Sequence, residues 1–443
     1  MKQASKIGYT IGNMTKKSRY LILAACIVFF ILAAPAVLLY VRGIAYDPTT
    51  GDFYNTGILA VKCDPKDIMI KLDGKLYQTG AGTLRFLKPK EYEVSLEKPG
   101  YLTWSKRLSV DEGRVTWANP AGQNIILFFD QAKQQVLSET ATAFLETAGK
   151  IFYTTPRELA VTSLSAPDQT ASYPLPAPAA DLSMIPGGQI LAVKTQATST
   201  PWLLFDSSQN IFLPASLSLD AGDQLKYQDN NNLYVIKPAG LFAVNLKTGK
   251  STAMLAGARD LLYEGGYYYY LVSTSSGLSL YSTPALDQPG TLLTAGLPMA
   301  ETTRIIINAQ KQAYILLDHS LYLLASQPTL VAEGIKSLKL NPDKDTLALV
   351  NNSEFLRLNS GSSRPDLVSR SLFPITNGII LPDYGNGFLV KDKQILAEEL
   401  DARDHQNEFV LYSGLKTPSF AISDDARKLV VLDGSQLKIL TIR

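Results

Sequence analysis

The chain has 443 residues, 46% hydrophobic and 19% charged, enough apolar material for several packed cores and too much for disorder over most of its length. With two histidines, His319 and His405, and two cysteines, Cys26 and Cys63, it holds no Cys/His metal cluster and no disulfide framework. Five of the 42 Lys and Arg (Lys2, Lys6, Lys16, Lys17 and Arg19) fall in residues 1–19 with no acid, leaving 37 cations against 40 acids in the rest. A nucleic-acid binder carries its basic excess on the folded part, so nucleic acid is not an expected partner.

The basic tail, residues 1–19, runs into Tyr20–Val41, 22 residues without a charge. As a helix these span about 33 Å, enough for a bilayer core of about 30 Å. The positive-inside rule puts residues 1–19 in the cytoplasm and everything after Val41 outside. The run is longer than the core of a cleaved signal peptide, which favours an uncleaved signal anchor; cleavage after Ala45 is the competing reading. Leu23-Ala24-Ala25-Cys26 has the form of a bacterial lipobox, but the apolar run continues well past Cys26, so a small residue inside a membrane helix is the preferred account. Pro35 lies within the span, where neighbouring groups can satisfy the freed carbonyl. Beyond the membrane Cys63 is the only cysteine, and stability there rests on core packing.

Residues 42–56, with Gly43, Pro48 and Gly51, read as a juxtamembrane linker. Short strands follow: Gly57–Cys63, Ile68–Leu72, Leu84–Leu87, Tyr92–Leu96, Leu102–Val110 and Gly113–Trp117. Asp73-Gly74 marks a hairpin turn. Residues 57–120 therefore read as a small β-sandwich. The succession Gly57-Ile58-Leu59-Ala60-Val61, Asp64-Pro65, Asp73-Gly74-Lys75, Leu87-Lys88-Pro89, Tyr92-Glu93-Val94 and Pro99-Gly100-Tyr101 resembles a PEGA domain. It departs from that family at Pro65-Lys66-Asp67-Ile68, where the naming turn has Pro-Glu-Gly-Ala, and at Pro89-Lys90, where Pro-Gly is usual. The resemblance implies an extracytoplasmic, non-catalytic module, often beside a membrane anchor, in which Pro65, Asp73, Gly74, Pro89, Tyr92, Gly100 and Tyr101 are structural landmarks. Trp104 and Trp117 read as core side chains of the sandwich rather than as an exposed aromatic patch.

From residue 123 to 443 the chain is again strands and turns, with a repeat of roughly 30–45 residues. Eight turn-plus-strand cores recur: Thr147–Tyr153, Pro186–Val193, Asp229–Ile236, Glu264–Leu271, Asn308–Leu317, Asn341–Val350, Asp383–Val390 and Ser423–Leu432. Asn341-Pro342-Asp343 and Ser423-Asp424-Asp425, each before an apolar strand, resemble the Ser-Pro-Asp-Gly turn of TolB-like and WD40-like propeller repeats, and Lys247-Thr248-Gly249 resembles their blade-closing loop. The expectation is an all-β chain after one membrane helix: a PEGA-like sandwich, then a β-propeller of eight blades, with seven as the alternative. The final segment, 419–442, shows three strands, and Ile125–Phe129 is expected to supply its fourth and seal the ring.

Chemistry is sparse. Asp343 with Asp345, and Asp424 with Asp425, suit tight turns better than a calcium loop, because no bidentate Glu closes either run. His319 and His405 read as turn residues, and no Gly-x-Ser-x-Gly, GxGxxG or P-loop is present. Of Tyr267–Tyr270, two are expected to pack between blades and two to point outward. No catalytic, cofactor or metal residue is assigned. The expected function is a membrane-anchored extracytoplasmic binding or scaffold protein facing a protein or a cell-envelope glycan. The alternatives are a propeller hydrolase or lyase acting on an envelope polymer, recognisable by ionisable groups converging at the channel mouth, and a sensor that needs a membrane partner.

Overall fold

The computed structural model describes residues 16–198, 201–213, 217, 219–325, 327–414, 416 and 418–443; residues 1–15 of the basic tail lie outside them. Lys16–Val41 forms one helix with Pro35 inside it, the only helix among the described residues long and apolar enough to cross a membrane. It starts before the apolar run because Lys and Arg propagate a helix well. Residues 42–56 are not a plain linker. Ile44–Tyr46 pairs antiparallel with Phe53–Asn55. Asp47 closes the turn between them: its carbonyl accepts the Gly51 N–H at 2.9 Å and its carboxylate the Thr49 N–H at 2.9 Å. The Asp-Pro-Thr-Thr-Gly sequence thus makes an Asx turn where flexibility was expected.

Two compact units make up the chain: Met1–Leu96 with Ser105–Gly122, and Glu97–Trp104 with Gln123–Arg443. In the first, a three-stranded sheet (Val115–Trp117, Gly57–Val61, Gly82–Leu87) and a four-stranded sheet (Lys75–Thr79, Met69–Leu72, Lys90–Glu97, Trp104–Val110) form the sandwich. Alternation sets its core: Tyr92, Val94 and Leu96 point inward from one strand, Leu59, Ile70 and Leu84 from others. Asp73 and Gly74, at φ 51° and 75°, form the two-residue turn that Met69–Leu72 and Lys75–Thr79 require.

Among its described residues the second unit holds eight four-stranded antiparallel sheets, blades 1 to 8. Blades 1 to 7 occupy residues 143–174, 179–212, 224–256, 258–297, 303–332, 337–370 and 375–413. Blade 8 joins Ser419–Ile422, Lys428–Asp433 and Gln436–Thr441 to Lys133–Ser138. First strands of successive blades touch, as in blades 1 and 2, 3 and 4, 4 and 5, 6 and 7, and 8 and 1, so they line the centre of a β-propeller. Each turn-plus-strand core visible in the sequence is the first turn and second strand of one blade. That strand is covered on both faces by neighbouring blades: Thr346–Val350 is buried at all five positions. This is why these strands read as continuous apolar runs instead of alternating ones.

Packing between blades is continuous around the ring. Phe152 and Leu159 of blade 1 meet Leu191, Val193 and Phe205 of blade 2, and Val430, Leu437 and Ile439 of blade 8 meet Ile151, Tyr153 and Ala160 of blade 1. Phe355 of blade 6, fully buried, lies against Gly378 and Gly387 of blade 7; a Cβ at either would come within 2.6 Å of its ring, so only glycine fits. Between blades 7 and 8, the Tyr412 hydroxyl donates to Asp433 at 3.0 Å.

The closing strand is Lys133–Ser138, not Ile125–Phe129. It pairs antiparallel with Gln436–Thr441, from Lys133 opposite Thr441 to Ser138 opposite Leu437. The apolar segment before it packs instead: the ring of Phe128 sits 6.1 Å from Phe388 and 5.5 Å from Phe409 of blade 7, and the Phe129 N–H donates to the Ile442 carbonyl at 2.9 Å. Deleting residues 133–138 is expected to lower the unfolding temperature of the propeller by several degrees and to make residues 419–441 a preferred site of limited proteolysis. An unchanged melting curve and cleavage pattern would contradict closure by this strand.

A candidate binding groove between blades 4 and 5

The residues singled out from sequence serve local structure. In the sandwich, Pro65 and Pro89 are half-buried in turns, and Tyr92 is buried with its hydroxyl donating to the Lys88 carbonyl at 2.9 Å. Gly100 and Tyr101 belong by packing to the second unit: the Gly100 carbonyl accepts the Asp130 N–H at 3.0 Å, and the Tyr101 ring lies 4.7 Å from Phe129. Trp104 is buried as expected, yet its indole N–H donates to Glu399 of blade 7 at 3.2 Å. Trp117 is not core; it stays 37% exposed with the Lys62 ammonium over its ring. The reason is strand length: Val115–Trp117 is a short edge strand with one neighbour.

In the propeller, Asn341 is buried and organises its turn: its side-chain oxygen accepts the N–H groups of Asp345 and Thr346 at 2.9 and 3.0 Å. Pro342 and Asp343 are exposed in the same turn. Asn308 repeats the device in blade 5 and Ser423 in blade 8. His319 shares a 3.0 Å hydrogen bond with the Ile335 carbonyl, and His405 sits 2.7 Å from Asp404 in an exposed loop. Among the described residues no group of three His, Cys, Asp or Glu is placed to hold a metal ion.

Ionisable groups do meet on the inner strands. Asp260 of blade 4, fully buried, accepts from the Lys226 ammonium at 2.6 Å, the Leu261 N–H at 2.9 Å and the Ile305 N–H at 2.7 Å. Arg304 beside it donates to the Leu338 carbonyl at 3.2 Å. Burial pushes Asp260 up and Arg304 down from their ordinary ranges. These three donors make Asp260 a tie between blades 3, 4 and 5. Four tyrosines with Asp229 have the composition of an aromatic cage, but the rings of Tyr227, Tyr234, Tyr263 and Tyr268 pack 4.7 to 5.9 Å apart and fill the space themselves.

Of the tyrosine run only Tyr267 is exposed, where two outward residues were expected. Tyr268 and Tyr270 pack toward blade 3, Tyr269 toward blade 5, since a middle strand of a propeller has a blade on either side. Tyr267 and Tyr269 line the wall of an open groove of about 590 Å³ between blades 4 and 5. Its floor is aliphatic, with Leu280, Ile307 and Leu324. The space exists because the sequence places Ser282, Ala309, Ala313 and Ala325 where the interface ends. Tyr267 remains 49% exposed, and Tyr269, half-buried, has its phenol pushed up by burial and by the nearby Glu264. At the rim stand Lys311 and, from blade 6, Lys344, whose ammonium lies 2.6 Å from Glu264 of blade 4. The Ala309 N–H donates to the Lys344 carbonyl at 2.7 Å, locking the turns of blades 5 and 6 side by side. Sequence reading missed these residues. The one visible signal is lysine at the fourth turn position, left-handed at φ 61° and 56°, where blades 7 and 8 carry Gly385 and Ala426.

Residues 56–122 match the PEGA domain family. None of the curated proteins matches this sequence. Among solved structures, the chain is similar to one described as the crystal structure of the eukaryotic initiation factor, with 14% identity over 68% of this chain and 85% of that one and a TM-score of 0.47. It is similar to the Dos1 propeller at 11% identity, over 70% and 94% of the two chains, TM-score 0.48. PorZ, a bacterial surface component of the type-IX secretion system of Porphyromonas gingivalis, is similar at 12% identity over 69% of this chain and 46% of its own, TM-score 0.40.

One titration in the second unit has a measurable consequence. Glu398 of blade 7 is buried with no hydrogen bond to its Oε2, and burial, opposed by a bond from Ser369, raises it to about 7. The folded value exceeds the unfolded one, so the native state holds the proton more tightly and its stability falls as pH rises from the usual glutamate range through 7. Glu398→Gln is expected to stabilise the protein at pH 8 by up to about 3 kcal/mol and to change little at pH 4, measured by urea unfolding. Equal effects at both pH values would contradict it.

Proposed function

We propose that this protein is a single-pass, membrane-anchored binding protein of the cell envelope. On this reading residues 1–19 stay in the cytoplasm, the helix Lys16–Val41 spans the membrane as an uncleaved anchor, and the PEGA domain and propeller lie outside. The groove between blades 4 and 5 then receives the partner, a protein or an envelope glycan. The observation that carries the reading is that groove: an aliphatic floor, two tyrosines and a cationic rim on a rigid ring. Binding rather than catalysis is supported by the inner strands, where Asp260 is already committed to three donors.

Two measurements test it. Protease added to spheroplasts should digest residues after Val41; protection of the propeller would contradict the orientation. A photo-crosslinking residue at Tyr267 should give a discrete adduct in intact cells, reduced by Lys311→Glu. An adduct that ignores that substitution, or none at all, would remove the groove from the account.

A further inference from the structure

We propose that the groove docks an extended peptide segment of a protein partner, with one large aliphatic or aromatic side chain on the floor and an acidic side chain, within two residues of it, against Lys311 and Lys344; this deepens the reading just given and rests on it. The floor decides against a sugar. Leu280, Ile307 and Leu324 offer no hydrogen bonds, so a hydroxylated ring seated on them would lose its water on that face, with Ser282 and two phenols beside it and Glu264, Lys311 and Lys344 left to the rim. An apolar side chain loses nothing and gains contact with Tyr269 and the aliphatic floor. The groove is also open: Tyr267 and Leu293 on its walls are 49% and 44% exposed. A free acyl chain would remain half in water there, whereas a side chain carried by a polypeptide buries its tip and leaves a hydrogen-bonding backbone at the rim.

Charge selects the second contact. Two lysines and one glutamate leave the rim with one positive charge in excess. Among the described residues Lys311 forms no ion pair, and the Lys344–Glu264 pair is partly exposed at both ends, 44% and 33%. A pair of that kind exchanges partners readily, so an incoming carboxylate can take Lys344 from Glu264. The Asn308 and Asn341 clamps fix the backbone from which both lysines project, so the cationic rim is held in place before the peptide arrives.

The test pans phage-displayed random dodecapeptides against the full chain in nanodiscs, with the Lys311→Glu chain as subtractive target. Enriched sequences are expected to pair Leu, Ile, Phe or Trp with Asp or Glu within two positions. A synthetic representative should bind about tenfold more weakly to Lys311→Glu and to the groove-filling Ala313→Leu, and more weakly as salt is raised. Thermal unfolding establishes that both variants remain folded. Enrichment of basic or wholly polar sequences, no enrichment over the subtractive target, or equal binding to both variants would overturn the proposal. If an N-acetylglucosamine tetramer or decanoate displaces the Tyr267 crosslink and the selected peptides do not, the peptide proposal falls while the groove stands as a binding site.

Discussion

Each blade of this propeller is a sheet buried on both faces, and that constraint governs the rest of the molecule. A middle strand such as Thr346–Val350 touches apolar neighbours above and below, so a blade has no stable form without both of them. The ring must therefore close. It does so by splitting blade 8 between residues 133–138 and the C-terminal strands, so that unfolding either end exposes the other. With a buried core of this kind, polar chemistry gathers on the inner strands and in the turns at the blade ends, with Glu398 on a third strand as an exception.

The inner strands use their charges for cohesion. Lys226, Asp260 and Arg304 come from three successive blades, and the carboxylate takes donors from two besides its own. Removing one member of such a buried set strands the others, which is costly even when the set itself adds little net stability. The turns are different. Asn308, Asn341 and Ser423 satisfy their own backbone amides, and the remaining turn positions are free to vary. It is there, where small side chains leave the blade 4–5 interface unfilled, that aromatic, aliphatic and cationic groups converge. The site is a by-product of where a propeller can tolerate a gap.

This division also explains what could be read from the sequence. The eight second strands were legible because double burial makes them continuous apolar runs after polar turns, as in Asn341–Val350. The closing strand was not, because it is the outermost of its blade: four of the six residues of Lys133–Ser138 are polar, whereas the neighbouring Ile125, Ile126, Leu127 and Phe128 are apolar because they are buried. The sandwich was legible from its short strands and turns, but the loop Glu97–Trp104 packs with the propeller unit, and the Trp104 partner Glu399 lies 295 residues away in sequence. No local pattern carries such a contact. The groove was illegible for the same reason: it draws on three blades, and its defining feature is four small residues divided between blades 4 and 5.

We propose the groove between blades 4 and 5 as the working surface of the ring. Amide hydrogen exchange on the full chain in nanodiscs, with and without a solubilised cell-envelope fraction, tests it directly. Protection is predicted at residues 264–269, 308–313 and around Lys344, with the PEGA domain unchanged. Protection confined to residues 56–122, or spread over other blades while these turns exchange as before, would contradict it.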